Sequence, residues 1–343
     1  MTNRVNLPSD DLAVLIGAFG LGEVTAHRHL AEGLMNVNWR LETTSGSFAL
    51  KRVTDVPLDR LRRNLAVLPG LAKNGVPVVV PVEASSGGVV VEAGGSGYCL
   101  FPWASGEHVR GTDLSLAQVE ALGAQLARLH LALRRAVGLE RLPPASAAVR
   151  AEVVTPERAV EKADRLASAV QEEGAGDPFD VLADDALVRR RGLLGEYAHL
   201  RPGDDVPRGP HGWTHGDFQY RNLLWAGGEL TAVLDWDRLG VRPYAEEVVR
   251  TAQVQFGVEG VFNLEQVSAF VTGYRSAVPL EPAALLDAAR RLWWKRMTDF
   301  WQLEFHYYRH DLSCDDLFVA DEALLHWWTE RLDGVERTFT GAS

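Results

Sequence analysis

Residues 213–240 read WTHGDFQYRNLLWAGGELTAVLDWDRLG, and this is the most informative stretch of the chain. It sets Asp217 five residues before Asn222, and an apolar strand then ends at Asp235. Magnesium is a hard cation that takes oxygen ligands and keeps waters and substrate phosphates, so one carboxylate and one amide oxygen are enough to hold it. The remaining carboxylate can then accept a hydroxyl proton. The stretch is therefore typical of a site for magnesium and a nucleotide.

Each half of this stretch also has an ordinary structural explanation. HGD can form a turn, and AVLDWD can be the end of a strand with an Asp cap. Both halves together, downstream of a strand that carries Lys51, favour the chemical interpretation. We expect His215 to organise the loop by hydrogen bonding. Asp237 either supports or occasionally ligates the metal, or it is a solvated residue that caps the strand, and both alternatives remain open.

The HGDxxxxN signature and the following LDWD resemble those of the aminoglycoside phosphotransferase and choline kinase-like small-molecule kinases, a family that includes homoserine kinase-like enzymes. The resemblance covers about residues 24–310. It implies an α+β fold like that of eukaryotic protein kinases, bilobal, with a small β-rich N-lobe and a larger, mainly helical C-lobe. It also implies that Asp217 is the catalytic base, that Asn222 and Asp235 hold Mg²⁺, and that ATP is the co-substrate.

The chain as a whole has the organisation that this resemblance implies. Strand-like runs dominate up to about residue 98, including a hairpin, 36–43 and 47–53, that turns at Ser45-Gly46. One helix is predicted over 58–73, and VPVVVPVEA, GGVVVEA and GYCLFPW read as further strands. We therefore expect a nucleotide-binding lobe over 1–98 and a hinge over 99–106. A helical lobe over 107–343 would contain the catalytic loop, 213–240, and the acceptor-binding helices.

The nucleotide side depends on Lys51, one of only four lysines in the chain. The resemblance makes it the phosphate-binding lysine, and the alternative is a lysine that blunts an edge strand. In related kinases a helix Glu pairs with this lysine, but here the helix contains no Glu and Asn64 occupies the aligned position. Either an amide or another acid orients the lysine, or the phosphates alone hold it.

Two other segments are expected to contact the nucleotide. The loop that contains Gly33 and Asn36 would lie over the phosphates. The connector YCLFPWASGE resembles the hinge that holds adenine by backbone groups, which makes Phe101 and Trp103 candidate contacts. Because Pro102 has no N–H, the donor to the base would come from a neighbour such as Trp103. Neither GxGxxG nor GxxxxGK[ST] occurs, which argues against Rossmann and P-loop folds.

The acceptor side is predicted from the C-terminal segment LWWKRMTDFWQLEFHYYRHD, interpreted as one helix. On a helical wheel Glu304 falls within an aromatic face, where a carboxylate either meets an internal cation or binds a cationic ligand. Trp294, Trp301 and Glu304 are therefore candidate acceptor residues. The chain returns to a helical pattern within about ten residues of Asp235, which leaves no room for an activation loop. A small acceptor is thus expected rather than a protein.

Composition limits the possible partners and the compartment. The chain has 343 residues with 46 acidic and 35 basic side chains, so its net charge of −11 argues against a nucleic-acid partner and against an anionic membrane surface. The two cysteines have no metal-ligand spacing, and no apolar run is long enough to cross a bilayer. We expect a cytoplasmic protein, a monomer or homodimer, whose partners are a nucleotide and a small acceptor.

The sequence leads to an ATP-dependent O-phosphotransferase that acts on a hydroxyl of a small polar, amine-bearing molecule. The main expectation is an aminoglycoside-like antibiotic, with antibiotic resistance as the role. The alternatives are a metabolic kinase for homoserine, choline or an amino sugar, and a catalytically weak, kinase-like nucleotide-binding protein. A non-enzymatic scaffold is a third class, but the intact set of Asp217, Asn222 and Asp235 favours an enzyme.

Overall fold

The computed structural model describes residues 6–31, 36–137, 142–145, 149–173, 177–203 and 205–341. The chain divides into two compact units. The first contains Met1–Arg110, Gln125–Ala145 and Gly212–Val241, and the second contains Gly111–Ala124, Ser146–His211 and Arg242–Ser343. Residues 213–240 thus belong to the first unit, together with the N-terminal strands.

The elements are mostly strands in the first hundred residues and mostly helices in the rest of the chain. Up to residue 136 they are α1 (Ser9–Phe19), β1 (Val24–Leu30), β2 (Val37–Thr43), β3 (Gly46–Val53), α2 (Leu58–Leu65), α3 (Leu68–Lys73), β4 (Val91–Ala93), β5 (Ser96–Pro102) and α4 (Leu116–Ala136). They continue with α5 (Pro156–Glu173), α6 (Pro178–Glu196), β6 (His211–Thr214), β7 (Leu223–Ala226), β8 (Glu229–Val233), β9 (Gly240–Pro243), α7 (Tyr244–Phe256), β10 (Gly257–Val258), β11 (Val261–Phe262), α8 (Leu264–Arg275), α9 (Pro282–Thr298), α10 (Trp301–Arg309), α11 (Asp315–Glu330) and α12 (Leu332–Thr340).

The N-terminal sheet is a five-stranded antiparallel sheet in the order β1-β2-β3-β5-β4. Its hairpin turns at Gly46, whose φ of 130° favours glycine. Trp39, Leu50 and Tyr98 belong to the core of this sheet. The buried Tyr98 hydroxyl donates to the Asp11 carboxylate at 2.5 Å, which satisfies both groups and fastens α1 to the sheet. The predicted hairpin is confirmed, and so is the strand over GYCLFPW.

Two expectations for the first hundred residues are wrong, and proline explains both. The single helix predicted over 58–73 is two helices, because Pro69 lies at the start of α3 and has no N–H to continue the α2 ladder. The segment VPVVVPVEA is not a strand. It forms an isolated bridge from Val78 to Val233, and the Val82 N–H donates to the Leu100 carbonyl of β5 at 2.8 Å, but its two prolines lack the N–H groups that a continuous ladder needs.

The predicted C-terminal helix is also interrupted. α9 ends at Thr298 and α10 begins at Trp301, and Asp299 between them has an extended backbone with φ −101° and ψ 126°. The Asp299 carbonyl, which no helix bond satisfies, accepts a hydrogen bond from Arg190 at 2.6 Å. The helical wheel that joined residues on both sides of this break therefore does not describe one face.

The second unit is helical apart from short strands. Its core includes a cluster in which Phe300, Leu303 and Phe318 pack with residues of α5 and α6. Within the part of the chain that the structure describes, every helix is too short or too polar to cross a membrane. The α+β class, with a sheet-rich N-terminal part and a mainly helical remainder, is confirmed.

Candidate active site

The loop after β6 fixes the orientation of Asp217 from within its own few residues. Gln219 Nε2 and Asn222 Nδ2 donate to Asp217 Oδ2 at 2.8 and 3.0 Å. The same Asn222 Nδ2 donates to the Asp217 carbonyl at 2.8 Å. These bonds hold the half-buried carboxylate in one position.

His215 connects this loop to the end of β8. Its ring is fully buried, and its Nε2 lies 2.9 Å from the Leu234 carbonyl, so this nitrogen carries the proton. Nδ1 then accepts the Asp217 backbone N–H at 3.2 Å. The expected role of His215 as an organiser of the loop is confirmed, because both ring nitrogens are engaged by backbone groups.

Lys51 lies in the middle of β3 and is paired with two carboxylates that follow β8. Its Nζ lies 2.6 Å from Asp235 Oδ1 and 2.7 Å from Asp237 Oδ2. The Asp237 side chain is only 4% exposed, whereas that of Asp235 is 37% exposed. The buried partner of the lysine is therefore Asp237, and the more accessible Asp235 can also face a ligand.

The ionisation of this trio follows from its burial and mutual attraction. Burial opposes the charge of Lys51, but Asp235 and Asp237 outweigh it and raise the lysine pKa above its ordinary value. Burial also acts against the charge of Asp235, yet Lys51 lowers its pKa overall. For Asp237, burial dominates and raises the pKa, although Lys51 lowers it. Lys51 therefore keeps its charge, and the carboxyl of Asp235 loses its proton more readily than that of Asp237.

Two asparagines form hydrogen bonds with Asp237 and with the backbone of its loop. Asn36 Nδ2 donates to Asp237 Oδ2 at 3.0 Å, and its Oδ1 accepts the Thr54 N–H at 3.0 Å. Asn64, which is fully buried on α2, donates to the Asp237 carbonyl at 2.8 Å and to the Trp236 carbonyl at 3.3 Å. Asn64, at the position aligned with the helix Glu, therefore forms hydrogen bonds with the backbone of the loop after β8. A loop carboxylate orients the lysine instead.

Asn222 and Asp235 are the two predicted metal ligands, and both are compatible with that role. Because Asn222 Nδ2 donates to Asp217, its amide oxygen is the atom left for a cation. Asp235 has a left-handed backbone with φ 59°, a strained conformation for a residue that is not glycine and one that is common at functional sites. Carboxylate and amide oxygens are what Mg²⁺ prefers.

Gly33, Phe101 and Trp103 are the other residues that were predicted to contact the nucleotide. Gly33 lies outside the described residues. Phe101 is half-buried in β5, opposite Ala49. The Trp103 N–H donates to the Ser47 carbonyl at 2.9 Å, and its ring lies under the Arg40 guanidinium at 4.3 Å. While that N–H is bonded to Ser47, it is not free to donate to a base.

The three predicted acceptor residues lie in the second unit, Trp294 on α9 and both Trp301 and Glu304 on α10. Glu304 forms an ion pair with Lys162 at 3.0 Å, which is the internal-cation alternative for this carboxylate. Trp294 is buried, and its indole N–H donates to the Val154 carbonyl at 2.7 Å. Trp301 is half-buried and lines a cavity of the second unit.

Sequence reasoning missed three contributors. It left the role of Asp237 open, and it did not assign Gln219 or the contact of Asn36 with Asp237. Gln219 lies two residues after Asp217 inside the recognised loop, so its side chain could have been tested as a local partner. No local signal could have paired Lys51 with Asp237, because the two residues are far apart in the chain.

The chain is similar to known phosphotransferases. Residues 27–291 match the model of the APH phosphotransferase enzyme family. A homoserine kinase of Bradyrhizobium diazoefficiens is 27% identical over 304 residues, which are 84% of this chain and 83% of that protein.

Solved structures with the same fold include kinases for different acceptors. The amicoumacin kinase hAmiN, in complex with AMP-PNP, Ca²⁺ and Ami, has a TM-score of 0.62 at 17% identity and covers 92% of this chain and 91% of its own. A microcompartment-associated aminopropanol kinase has a TM-score of 0.59 at 18% identity, covering 95% and 98%. At these identities the likeness establishes the fold alone.

The family match and the homoserine kinase relative show that the protein is a small-molecule kinase. The family match spans most of the chain, and the protein belongs to the APH phosphotransferase enzyme family.

The first prediction concerns the buried partner of Lys51. We expect Asp237→Asn to lower kcat/KM for ATP by roughly 10- to 100-fold, because a hydrogen bond between charged groups contributes about 1.5–3 kcal/mol. Initial rates at varied MgATP measure this effect. Asp59→Asn is the matched control, since that side chain is 98% exposed. An Asp237→Asn enzyme with unchanged kcat/KM would show that Asp235 alone positions the lysine.

Proposed function

We propose that the protein is an ATP-dependent kinase that phosphorylates the hydroxyl of a small amino-acid-like alcohol, with L-homoserine as the first candidate. The observation that carries the phosphoryl-transfer part is the hydrogen-bonded loop of Asp217 and Asn222, in the same unit as the Lys51–Asp235 pair. This arrangement supplies a positioned base, oxygen ligands for a cation and an ammonium for phosphates.

In the proposed reaction the acceptor oxygen forms a bond to the γ-phosphorus, and the bond between that phosphorus and the β,γ-bridging oxygen of ATP breaks. Asp217 orients the acceptor hydroxyl and takes its proton, and ADP leaves with the bridging oxygen. Lys51 neutralises phosphate charge as a compact ammonium. The protein contributes mainly by positioning and by electrostatic stabilisation.

Magnesium is proposed as the metal, held by the amide oxygen of Asn222 and the carboxylate of Asp235. When bound, it would neutralise charge on the phosphate oxygens. The hydrogen bonds of the Asn222 amide group to Asp217 keep its oxygen directed away from the base.

The choice of acceptor is supported by the relatives. The homoserine kinase of Bradyrhizobium diazoefficiens matches over most of both chains, and this likeness favours the metabolic alternative over an aminoglycoside-like antibiotic. The ion pair of Glu304 with Lys162 supports the internal-cation alternative for this carboxylate, so Glu304 gives no preference for one amine-bearing acceptor over another. A cytoplasmic location and a monomeric or homodimeric state stay predictions from the sequence.

A screen of ADP release tests the proposal. We expect MgATP turnover with L-homoserine to exceed that with choline, 3-aminopropan-1-ol, spectinomycin and kanamycin, with Asp217→Ala as the blank. Mass spectrometry of the product should show one added phosphate on the acceptor. Turnover with an aminoglycoside and none with homoserine would restore the antibiotic assignment. An absence of turnover with the whole panel would refute the proposed function.

A further inference from the structure

Asn36 directly precedes β2, and its buried side chain is engaged at both ends inside the first unit. Its Oδ1 accepts the Thr54 N–H at 3.0 Å, and its Nδ2 donates to Asp237 Oδ2 at 3.0 Å. The sequence predicts Asn36 among the residues that lie over the phosphates. Because its amide is directed at groups of the protein itself, Asn36 also acts on the site through Asp237.

The Asp237 carboxylate is bound from two sides. Its Oδ2 lies 2.7 Å from Lys51 Nζ and accepts the Asn36 amide at 3.0 Å. Thr54, which binds the other end of Asn36, directly follows β3, the strand that carries Lys51. Asn36 thus ties the carboxylate to the end of the lysine's own strand. Because a connected set of buried hydrogen bonds is rigid when its members are satisfied, Asp237 has a fixed position beside Lys51.

Asp235, the other carboxylate beside Lys51, is held less firmly. Its Oδ1 lies 2.6 Å from Lys51 Nζ, but its side chain is 37% exposed, whereas that of Asp237 is 4% exposed. Among the residues that the structure describes, no amide side chain donates to Asp235. Water screens an exposed ion pair and competes for its hydrogen bonds, so the contact of Lys51 with Asp235 is the easier one to break.

The charges favour the release of one carboxylate when phosphates bind. With both carboxylates ionised, the trio of Lys51, Asp235 and Asp237 carries a net negative charge, which repels a triphosphate. If Asp235 turns to a metal cation, Lys51 and Asp237 remain as a neutral pair. An ammonium has three N–H donors, so Lys51 can keep Asp237 and bind a phosphate oxygen at the same time.

We propose that Asn36 is a positioning residue that keeps Asp237 as the permanent counterion of Lys51, so that Asp235 is the carboxylate that the lysine exchanges for phosphate. The two carboxylates of the LDWD motif therefore have different roles. This inference rests on the proposed function in taking Lys51 as the ammonium that binds the phosphates of ATP. A side chain that served only to end β3 would need its Oδ1 and not its Nδ2.

Proton exchange at the Lys51 ammonium tests the proposal in the full-length, nucleotide-free protein. The chain has only four lysines, so NMR with isotope-labelled lysine gives few signals, and the signal lost in Lys51→Met belongs to Lys51. We expect slow exchange with water in the unsubstituted protein and in Asp235→Asn, because Asp237 still holds the ammonium. Asp237→Asn should accelerate the exchange by about tenfold or more, since a buried hydrogen bond between charged groups is lost.

Asn36→Asp separates the two bonds of Asn36. The substitution keeps an acceptor for the Thr54 N–H, but it removes the donor to Asp237 and places a like charge beside that carboxylate. We expect Lys51 exchange to accelerate by about tenfold and the KM for ATP to rise by about tenfold, with kcat changed by less than about threefold. If Asn36 acts only at Thr54, both the exchange rate and the KM stay unchanged in this variant.

Two further variants complete the set. Asn36→Leu removes both bonds, so it should accelerate Lys51 exchange in the same way and also lower the melting temperature; if it fails to fold, Asn36→Asp carries the test alone. Asn74→Asp is the matched control, because it removes an amide donor to the Gly70 carbonyl elsewhere in the same unit. It should leave Lys51 exchange and the KM for ATP unchanged.

The outcomes separate this inference from the proposed function. Slow Lys51 exchange in both Asn36→Asp and Asp237→Asn would overturn the inference, and so would rapid exchange in Asp235→Asn. The expected exchange pattern without ADP release from any acceptor of the panel would support the role of Asn36 at Lys51 and refute the proposed function. ADP release with homoserine, with a KM for ATP that Asn36→Asp leaves unchanged, would overturn the inference and keep the function.

Discussion

Asp217→Ala is expected to lower kcat by roughly 10²- to 10⁴-fold, the usual contribution of a positioned general base. The substitution removes the carboxylate that orients the acceptor hydroxyl. It leaves Lys51, Asp235 and the amide oxygen of Asn222 in place, so ATP should still bind with an affinity within a few-fold of the unsubstituted protein. Single-turnover rates and fluorescence titration with a labelled nucleotide measure the two effects separately.

The control for this variant is Asp59→Ala, in which an exposed aspartate of the same unit is truncated. It should leave both kcat and nucleotide affinity unchanged. Loss of ATP binding in a folded Asp217→Ala protein would count against the role of Asp217 as the acceptor-side base. It would place this residue in the nucleotide site instead.

The second large effect concerns stability. Arg190 is buried between Phe300 and Phe318, and its guanidinium binds the buried Glu322 carboxylate, with Nε at 2.6 Å from Oε1. We expect Arg190→Met to lower the free energy of unfolding by about 3–5 kcal/mol, since it leaves Glu322 as an uncompensated buried charge. Urea unfolding followed by tryptophan fluorescence measures this loss.

The double variant Arg190→Met with Glu322→Leu shows whether the loss of stability comes from the unpaired carboxylate or from lost packing. If the cost comes from the orphaned carboxylate, removing it should restore most of the lost stability. Arg331→Met is the surface control, because its partner Glu330 is half exposed and such pairs contribute at most about 1 kcal/mol. A double variant as unstable as Arg190→Met alone would assign the loss to packing against the two phenylalanines and to the freed Asp299 carbonyl.

The sequence predicted correctly the features that are formed by residues close together in the chain. The hairpin of β2 and β3 follows from two β-rich runs around a turn with glycine, and both strands form within one residue of their expected ends. The loop after β6 could be recognised because its residues Asp217 and Asn222 lie five residues apart and interact within one turn. In both cases the partners are near neighbours in the chain.

The errors come from interactions that sequence spacing does not encode. The break between α9 and α10 is accompanied by a contact with Arg190, more than a hundred residues away. Glu304 was expected on an aromatic face, but its counterion is Lys162 on α5. The partner of Lys51 could not be chosen from the sequence either, because several carboxylates were available and only the fold brings Asp237 to 2.7 Å.

The replacement of a helix Glu by Asn64 has a consequence for control of the enzyme. In protein kinases the ion pair between the lysine and the helix can be made or broken as the helix is positioned, and this is a point of regulation. Here Asn64 holds the backbone of the loop that also supplies the carboxylates of Lys51. Displacing α2 would therefore disturb the loop and the lysine together. In this arrangement α2 would act on Lys51 through Asp235 and Asp237, so a movement of the helix would reach the lysine by way of the loop carboxylates.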